Sequence, residues 1–151
     1  MATRHQRPPA ETAALNAYVK LMRAAESVTT RAHLVLPEGV TITQFAALEA
    51  LLHRGPLFQS ELAGKLLKST GNLTLVVDNL ERDGLVVRER DETDRRFIRV
   101  ALTAKGRKFI SALFPQVAAS LTHEFSALTL AEQATLAELC RKLGRGPQPA
   151  A

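Results

Sequence analysis

The chain has 151 residues, 46% of them hydrophobic and 23% charged, which suits one compact domain with a core of its own. Aromatics make up 5% and Trp is absent, so that core must rest on Leu, Val, Ile and Ala, a composition that favours packed helices. The single cysteine, Cys140, excludes an internal disulfide, no run approaches the roughly 18 apolar residues of a membrane span, and the net charge of +5 allows a polyanionic partner without naming one.

Residues 1–8, opening "MATRHQR", are polar and basic, carry no apolar stretch resembling a signal peptide and are expected to fray. With one thiol and no membrane signal, a cytoplasmic protein is expected. Pro8 and Pro9 can open a helix, and Leu15, Tyr18, Val19, Met22 and Ala25 recur at helical spacing until "LPEG" stops it near Leu36. In "TITQFAALEALLHRG", Thr41 caps a second helix, Gln44 closes a capping box, and Phe45, Leu48, Leu51 and Leu52 form its buried stripe. Leu57 and Phe58 can add a short strand. "QSELAGKLL" reads as a short helix from about Gln59 to Leu66, burying Leu62, Ala63 and Leu66.

Ser69 is the expected N-cap of the next helix, whose Leu73, Val76, Val77 and Leu80 face inward and which Gly84 closes. "LVVRER" and "FIRVAL" then read as two strands joined by "DETDRR"; Phe97, Arg99 and Ala101 share one face of the second, and Ile98, Val100 and Leu102 the other. A long helix follows from Ala104 to the region of Glu124, with Pro115 expected to kink or divide it. A last helix carries a capping box of Thr129 and Glu132 and should end at Gly144, leaving residues 146–151 as a tail.

Two short helices, a tight turn and a hairpin make a winged helix-turn-helix, so the fold is read as mainly α with a small β-wing. The second helix of such a pair fits the major groove, where base edges differ in donor and acceptor pattern. The stretch "STGNLTL" suits the groove, because Ser69, Thr70, Gly71, Asn72 and Thr74 are small or hydrogen-bonding, and Gly71 permits close approach of backbone to DNA. Asn72 can pair bidentately with adenine. Leu75 should point outward, either to a thymine methyl or to an ordinary surface contact. Gln59, Ser60 and Lys68 flank this end.

Between Arg88 and Lys108 eight basic residues face four acidic ones, so the charge excess is local. Arg88, Arg90, Arg95 and Arg96 are the candidate DNA contacts, with Arg95 placed in the groove, since an arginine at a hairpin tip can enter a narrow minor groove. Free carboxylates there would repel phosphate. Asp94 or Asp91 is therefore expected to pair with a neighbouring arginine and shape the loop, or Asp91 to cap the turn.

"SELA", "VVDNLERDGLV", the wing "RDETDRR" and "LTAKG" together resemble the DNA-binding core of the MarR (multiple-antibiotic-resistance regulator) family, from about Thr41 to Gly106. The resemblance implies one domain over 9–145: a winged helix-turn-helix at 41–103 flanked by dimerisation helices at 9–36 and 104–144. It implies a homodimer reading a near-palindromic operator in double-stranded DNA, with Asp91, Asp94, Arg95 and Arg96 at the wing. One departure stands out: many members carry an arginine where this chain has Leu75, so an operator inferred from them does not transfer. The resemblance further implies a repressor released by a small aromatic or phenolic effector between the dimer helices and the winged lobe. Tyr18, Met22, His33, Phe45 and His53 are the lining candidates, although Phe45 equally suits plain core and the Tyr18–Met22 stripe equally suits a subunit interface.

Four other readings are open to test. His5, His33, His53 and His123 show no metal-ligand spacing, so no metal or other cofactor is expected. Cys140 is either a small buried packing residue or a redox switch, and peroxide-sensing members usually carry their reactive cysteine near the first helix. No phosphate loop, nucleophile elbow or paired-carboxylate motif points to an enzyme. A winged helix that binds protein instead of DNA is the remaining alternative; strong salt dependence of DNA binding separates the two.

Overall fold

The computed structural model describes residues 7–66 and 70–150, with the side chain of Thr70 left out. The expected fraying of residues 1–6 and the expected N-cap Ser69 lie outside the described residues. The chain parts into two compact units, a winged lobe of residues 35–119 and a helical unit formed by the segments 1–34 and 120–151.

In the lobe, α2 (Ile42–Arg54) starts on Thr41, whose Oγ1 accepts from the Gln44 N–H while the Gln44 side chain accepts from the Thr41 N–H. α3 (Gln59–Lys65) and α4 (Thr70–Arg82) make the helix-turn-helix. The Glu61 carboxylate satisfies the Phe58 N–H that α3 leaves open at its start, at 3.0 Å. The wing is β2 (Val86–Arg90) and β3 (Ile98–Leu102), antiparallel, with Val86 opposite Leu102 and Arg90 opposite Ile98. The short strand β1 (Leu57–Phe58) pairs with β3, giving the order β1-β3-β2 and fixing the start of α3 against the wing.

The core follows the spacings of the sequence. Leu48 and Leu51 of α2, Leu62 of α3, Leu73, Val77 and Leu80 of α4, Val86 and Val100 of the sheet, and Ile110, Leu113 and Val117 of α5 (Ala104–Phe125) are buried. Each Leu in such a place contributes about 2 kcal/mol by leaving water. Thr103 joins wing and helix: its hydroxyl donates to the Gly84 carbonyl at 2.6 Å and accepts from the Gly106 N–H at 2.9 Å. A Cβ on Gly106 would lie 1.8 Å from the Leu85 carbonyl oxygen, so only glycine lets α5 leave the sheet this closely.

The helical unit is built differently. α1 (Pro9–Ala32) ends in a 3₁₀ turn at His33–Val35, shorter than the helix to Leu36 expected, because Pro37 bars Leu36 from helical backbone. Of the two outcomes expected at Pro115, a kink or a division, division does not occur: α5 runs as one helix from Ala104 to Phe125. One correction falls in the last helix. α6 (Leu130–Arg145) is closed by Gly146, at φ 75°, and not by Gly144, whose place is within the helix. The Arg31 guanidinium pairs with Glu124 at 2.7 Å, and the Gln133 amide donates to the carbonyls of Phe125 and Leu128 at the turn before α6. Leu15, Tyr18, Val19 and Met22 on α1 and Leu136, Leu139 and Leu143 on α6 are exposed at i, i+3, i+4, i+7 spacing. Cys140, expected as buried packing, is exposed, because α6 has no buried residue. Among the described residues no helix is long and apolar enough to cross a membrane.

Candidate nucleic-acid interface

The start of α4 presents Gly71 and Asn72 at the surface, and Leu75 one turn on is 63% exposed. These positions are outward because Leu73, Val77 and Leu80 take the inward stripe, leaving the opposite side of the helix to solvent. Beyond the helix's own backbone and the adjacent residues, no described atom lies within 4 Å of where a Gly71 side chain would begin. Ser60 on α3 is exposed as well, whereas Gln59 and Thr74 are half-buried and joined, Gln59 Nε2 donating to Thr74 Oγ1 at 3.0 Å. Lys68, Ser69 and the Thr70 side chain lie outside the described residues.

The wing sorts its arginines into held and unheld. Arg88 points into the lobe, 19% exposed, with Nη1 at 2.7 Å from Asp78 and 3.3 Å from Glu81. Arg90 Nη1 donates to the Arg95 carbonyl at 2.9 Å and so braces the loop from inside. Arg96 grips Asp94 with Nε and Nη2, and the Arg96 N–H donates to the same carboxylate. Arg99 Nη2 reaches Asp91 at 3.3 Å while its guanidinium stacks over the Phe58 ring at 4.8 Å. Among the described residues Arg95 is the wing arginine whose guanidinium has no polar partner, and it stands at the exposed tip.

Both carboxylates at the tip hold the loop. Asp91 accepts from the Thr93 hydroxyl, the Asp94 N–H and Arg99, and the Asp91 N–H closes the hairpin on the Phe97 carbonyl at 3.0 Å. Its pKa is lowered, first by the Thr93 hydroxyl, with partial burial opposing and the Asp94 N–H and Arg99 adding to the fall. The pKa of Asp94 is lowered first by the Arg96 side chain and then by the Arg96 N–H. The alternatives left open by the sequence are thus both realised: Asp94 pairs with an arginine, and Asp91 caps the turn and pairs with one as well. Sequence patterns alone do not reveal the partners of Arg88, Asp78 and Glu81, or the stacking of Arg99 on Phe58. An acidic pair at i, i+3 ahead of a strand arginine is the trace that the first of these leaves in the sequence.

The effector candidates fall in both units. Phe45 is 7% exposed and belongs to the core of the lobe. His53 sets Nδ1 3.0 Å from the Glu49 carboxylate and its ring edge against Phe114. Tyr18 and Met22 lie on the exposed stripe of α1, and His33 Nδ1 lies 2.7 Å from the Thr29 carbonyl oxygen. Among the described residues no three His, Cys, Asp or Glu side chains come together to hold a metal ion.

A helix-turn-helix with an outward small-residue end and a braced basic wing matches known proteins. The MarR family model matches residues 40–98. The HTH-type transcriptional regulator YkoM of Bacillus subtilis (strain 168) is 38% identical over 132 residues, 87% of this chain and 86% of that protein. The transcriptional repressor MprA of Escherichia coli (strain K12) is 30% identical over 144 residues, 94% of this chain and 81% of its own length. Among solved structures, BpsR of Bordetella bronchiseptica, whose DNA binding is regulated by 6-hydroxynicotinic acid, superposes with a TM-score of 0.78 at 24% identity, covering 85% of this chain and 98% of that one. Such relatives are transcriptional regulators and not enzymes. The chain belongs to the MarR family of winged helix-turn-helix, DNA-binding transcriptional regulators.

Proposed function

We propose that the chain is a cytoplasmic, homodimeric repressor that reads a near-palindromic operator and lets it go when a small aromatic effector binds. In this reading residues 9–145 work as one domain, 41–103 meeting DNA and the flanking helices joining two copies. Asn72 reads a base in the major groove, Leu75 adds an apolar contact, and Arg95 enters the neighbouring minor groove. The single observation that carries the DNA reading is that, among the described residues, the guanidinium of Arg95 is unheld on a wing whose other arginines all have polar partners. A held loop presents that charge without the ordering cost that a mobile one would meet on binding.

The dimer reading rests on the apolar stripes of α1 and α6, whose exposed side chains a second copy would cover. Two-fold symmetry would then set two lobes on half-sites about one helical turn apart. Repression is drawn from MprA, and the aromatic effector from BpsR. Tyr18, Met22 and His33 are the candidate contacts in the helical unit and His53 the candidate in the lobe, where Phe45 is part of the core. An effector of this kind acts only if it prefers a different dimer state from the one that DNA prefers.

The test is selection of genomic fragments by the purified protein, followed by titration of the recovered duplex with 6-hydroxynicotinic acid and related hydroxylated aromatic acids. Steeply salt-dependent binding of a near-palindrome, reversed by one of these acids, is expected. Binding that no aromatic acid disturbs removes the effector; absence of any selected fragment removes the operator.

A further inference from the structure

Sequence logic places Gln59 and Arg88 among the residues that meet DNA, but the structure occupies both elsewhere. From β2, the Arg88 side chain donates Nε–H to the side-chain Oε1 of Gln59 on α3 at 3.3 Å and Nη2–H to the backbone carbonyl of Thr74 on α4 at 3.2 Å. Nη1 goes to Asp78 at 2.7 Å and Glu81 at 3.3 Å, while the Arg88 N–H donates to the other Glu81 oxygen at 3.0 Å. Gln59 completes the ring by donating to Thr74 Oγ1. All three guanidinium nitrogens are engaged. One side chain therefore grips α4 at positions 74, 78 and 81, along one side of the helix over two turns.

We propose that Arg88 is a positioning residue for base recognition: it locks the roll of α4 relative to the wing and does not itself touch DNA. This rests on the DNA-binding reading above and deepens it. Two turns held from one strand suppress rotation of the helix about its axis. With side chains reaching about 5–6 Å from that axis, a roll of about 20° moves a tip by about 2 Å. That exceeds the tolerance of a bidentate hydrogen bond to a base edge. Phosphate contacts from flexible cations tolerate such a shift. The lock accordingly controls discrimination between sequences more than attraction to DNA in general. Lysine cannot replace the fork, since one nitrogen cannot serve acceptors on α3 and on two turns of α4 together. Removing both carboxylates takes away two of the three positions held on α4 and leaves the Arg88 charge uncompensated, which should add to the attraction for phosphate.

The experiment compares the parent with Arg88→Lys and with the double variant Asp78→Ala/Glu81→Ala. Both acidic side chains are about half exposed, so their loss leaves the core intact. The probes are the best genomic fragment recovered by the parent and a shuffled duplex of the same composition, each titrated across a series of salt concentrations below the melting temperature. For both variants the ratio of the two affinities should fall by about tenfold, the scale of one lost base contact. Arg88→Lys should keep the salt slope of the parent, and the double variant should steepen it by about one. If Arg88→Lys weakens both duplexes alike with a shallower slope, Arg88 is a phosphate contact and the lock is wrong. An unchanged ratio in the double variant overturns it too, and decides alone if Arg88→Lys fails to fold. A parent that prefers no fragment and ignores salt fails the DNA reading itself, which separates that failure from loss of the lock.

Discussion

The winged lobe and the helical unit differ in how far each covers its own apolar surface. The lobe seals Leu48, Leu62, Leu73, Leu80, Val100 and Ile110 completely or nearly so. In the helical unit Ala32 is the buried hydrophobic among the described residues, while Tyr18, Met22, Leu139 and Leu143 stay at half exposure or more. Yet each has a helix opened by a full capping box, α2 at Thr41 and α6 at Thr129, so local signals do not account for the contrast. The lobe has three layers to close on itself: α2, α4 and α5, and the sheet. The helical unit presents two amphipathic stripes, on α1 and α6, that stay exposed among the described residues. An amphipathic helix states that something covers it.

The sharpest way to break this contrast is to remove the proposed cover. Met22→Glu with Leu139→Glu puts charges on both stripes without touching a core residue. The variant is expected to sediment as a monomer with the far-ultraviolet dichroism of a folded lobe. Its affinity for the selected operator should fall by at least about a hundredfold, since linked half-sites gain that much or more from each other. A variant that stays dimeric and binds as before would mean that the stripes are not the interface.

The next effect falls on the lobe. Gly106→Ala drives a methyl into the Leu85 carbonyl oxygen and should cost about 3 kcal/mol in urea unfolding, at the upper end for overpacked sites. Ala in place of Gly144, where no described atom beyond the helix's own backbone and the adjacent residues lies within 4 Å of the new Cβ, should leave stability unchanged or raise it slightly. If the two behave alike, the close passage of α5 over the sheet is not what the glycine serves.

Smaller still is the loss of the free wing arginine. Arg95→Ala should weaken selected and shuffled duplexes together, by about tenfold, and lower the salt slope by about one. Arg96→Ala should weaken binding less directly, since its guanidinium is spent on Asp94. Equal losses from both would say that the braces and the probe of this loop are not separate jobs.

Much of this division of labour is open to sequence reasoning, and its limits are instructive. Thr41 with Gln44, and Thr129 with Glu132, declare their helices because a cap is a contact between residues three apart. Leu73, Val77 and Leu80 declare the inner face of α4 for a similar reason. Arg88 and Arg95 carry the same side chain seven residues apart on one hairpin, and apart from the acidic pair Asp78 and Glu81 no pattern tells the half-buried one from the exposed one. That depends on which face of α4 meets β2, a matter of tertiary packing. Cys140, open in the sequence between buried packing and a redox switch, is exposed for a related reason: what lies against α6 is a matter of tertiary packing and not of local pattern. Gly144 loses the end of α6 to Gly146 because both glycines suit the position, and the helix simply keeps its backbone bonds for one more half-turn.

The last and smallest effect concerns acid. Asp91 and Asp94 titrate below the ordinary carboxylate value of 3.8 while the wing is formed, so the formed wing binds fewer protons than the loosened one. Stability from these carboxylates is fully present above that ordinary value and is lost as pH falls through the lower values of the folded loop. Between about pH 8 and 5 neither group changes charge, and the wing should keep its shape, with amide exchange at Phe97 as slow as the intrinsic pH dependence allows. Protection there should disappear only under clearly acidic conditions, while the lobe's core amides remain protected. Asp91→Asn places the same loss at neutral pH, because an amide keeps the size of the side chain but gives up its charge toward Arg99 and weakens acceptance from Thr93. Loss of Phe97 protection in that variant at pH 7, with Val77 and Leu80 unaffected, would tie the loop's order to the carboxylate. Unchanged protection would place the order in the strand pairing of β2 with β3 instead.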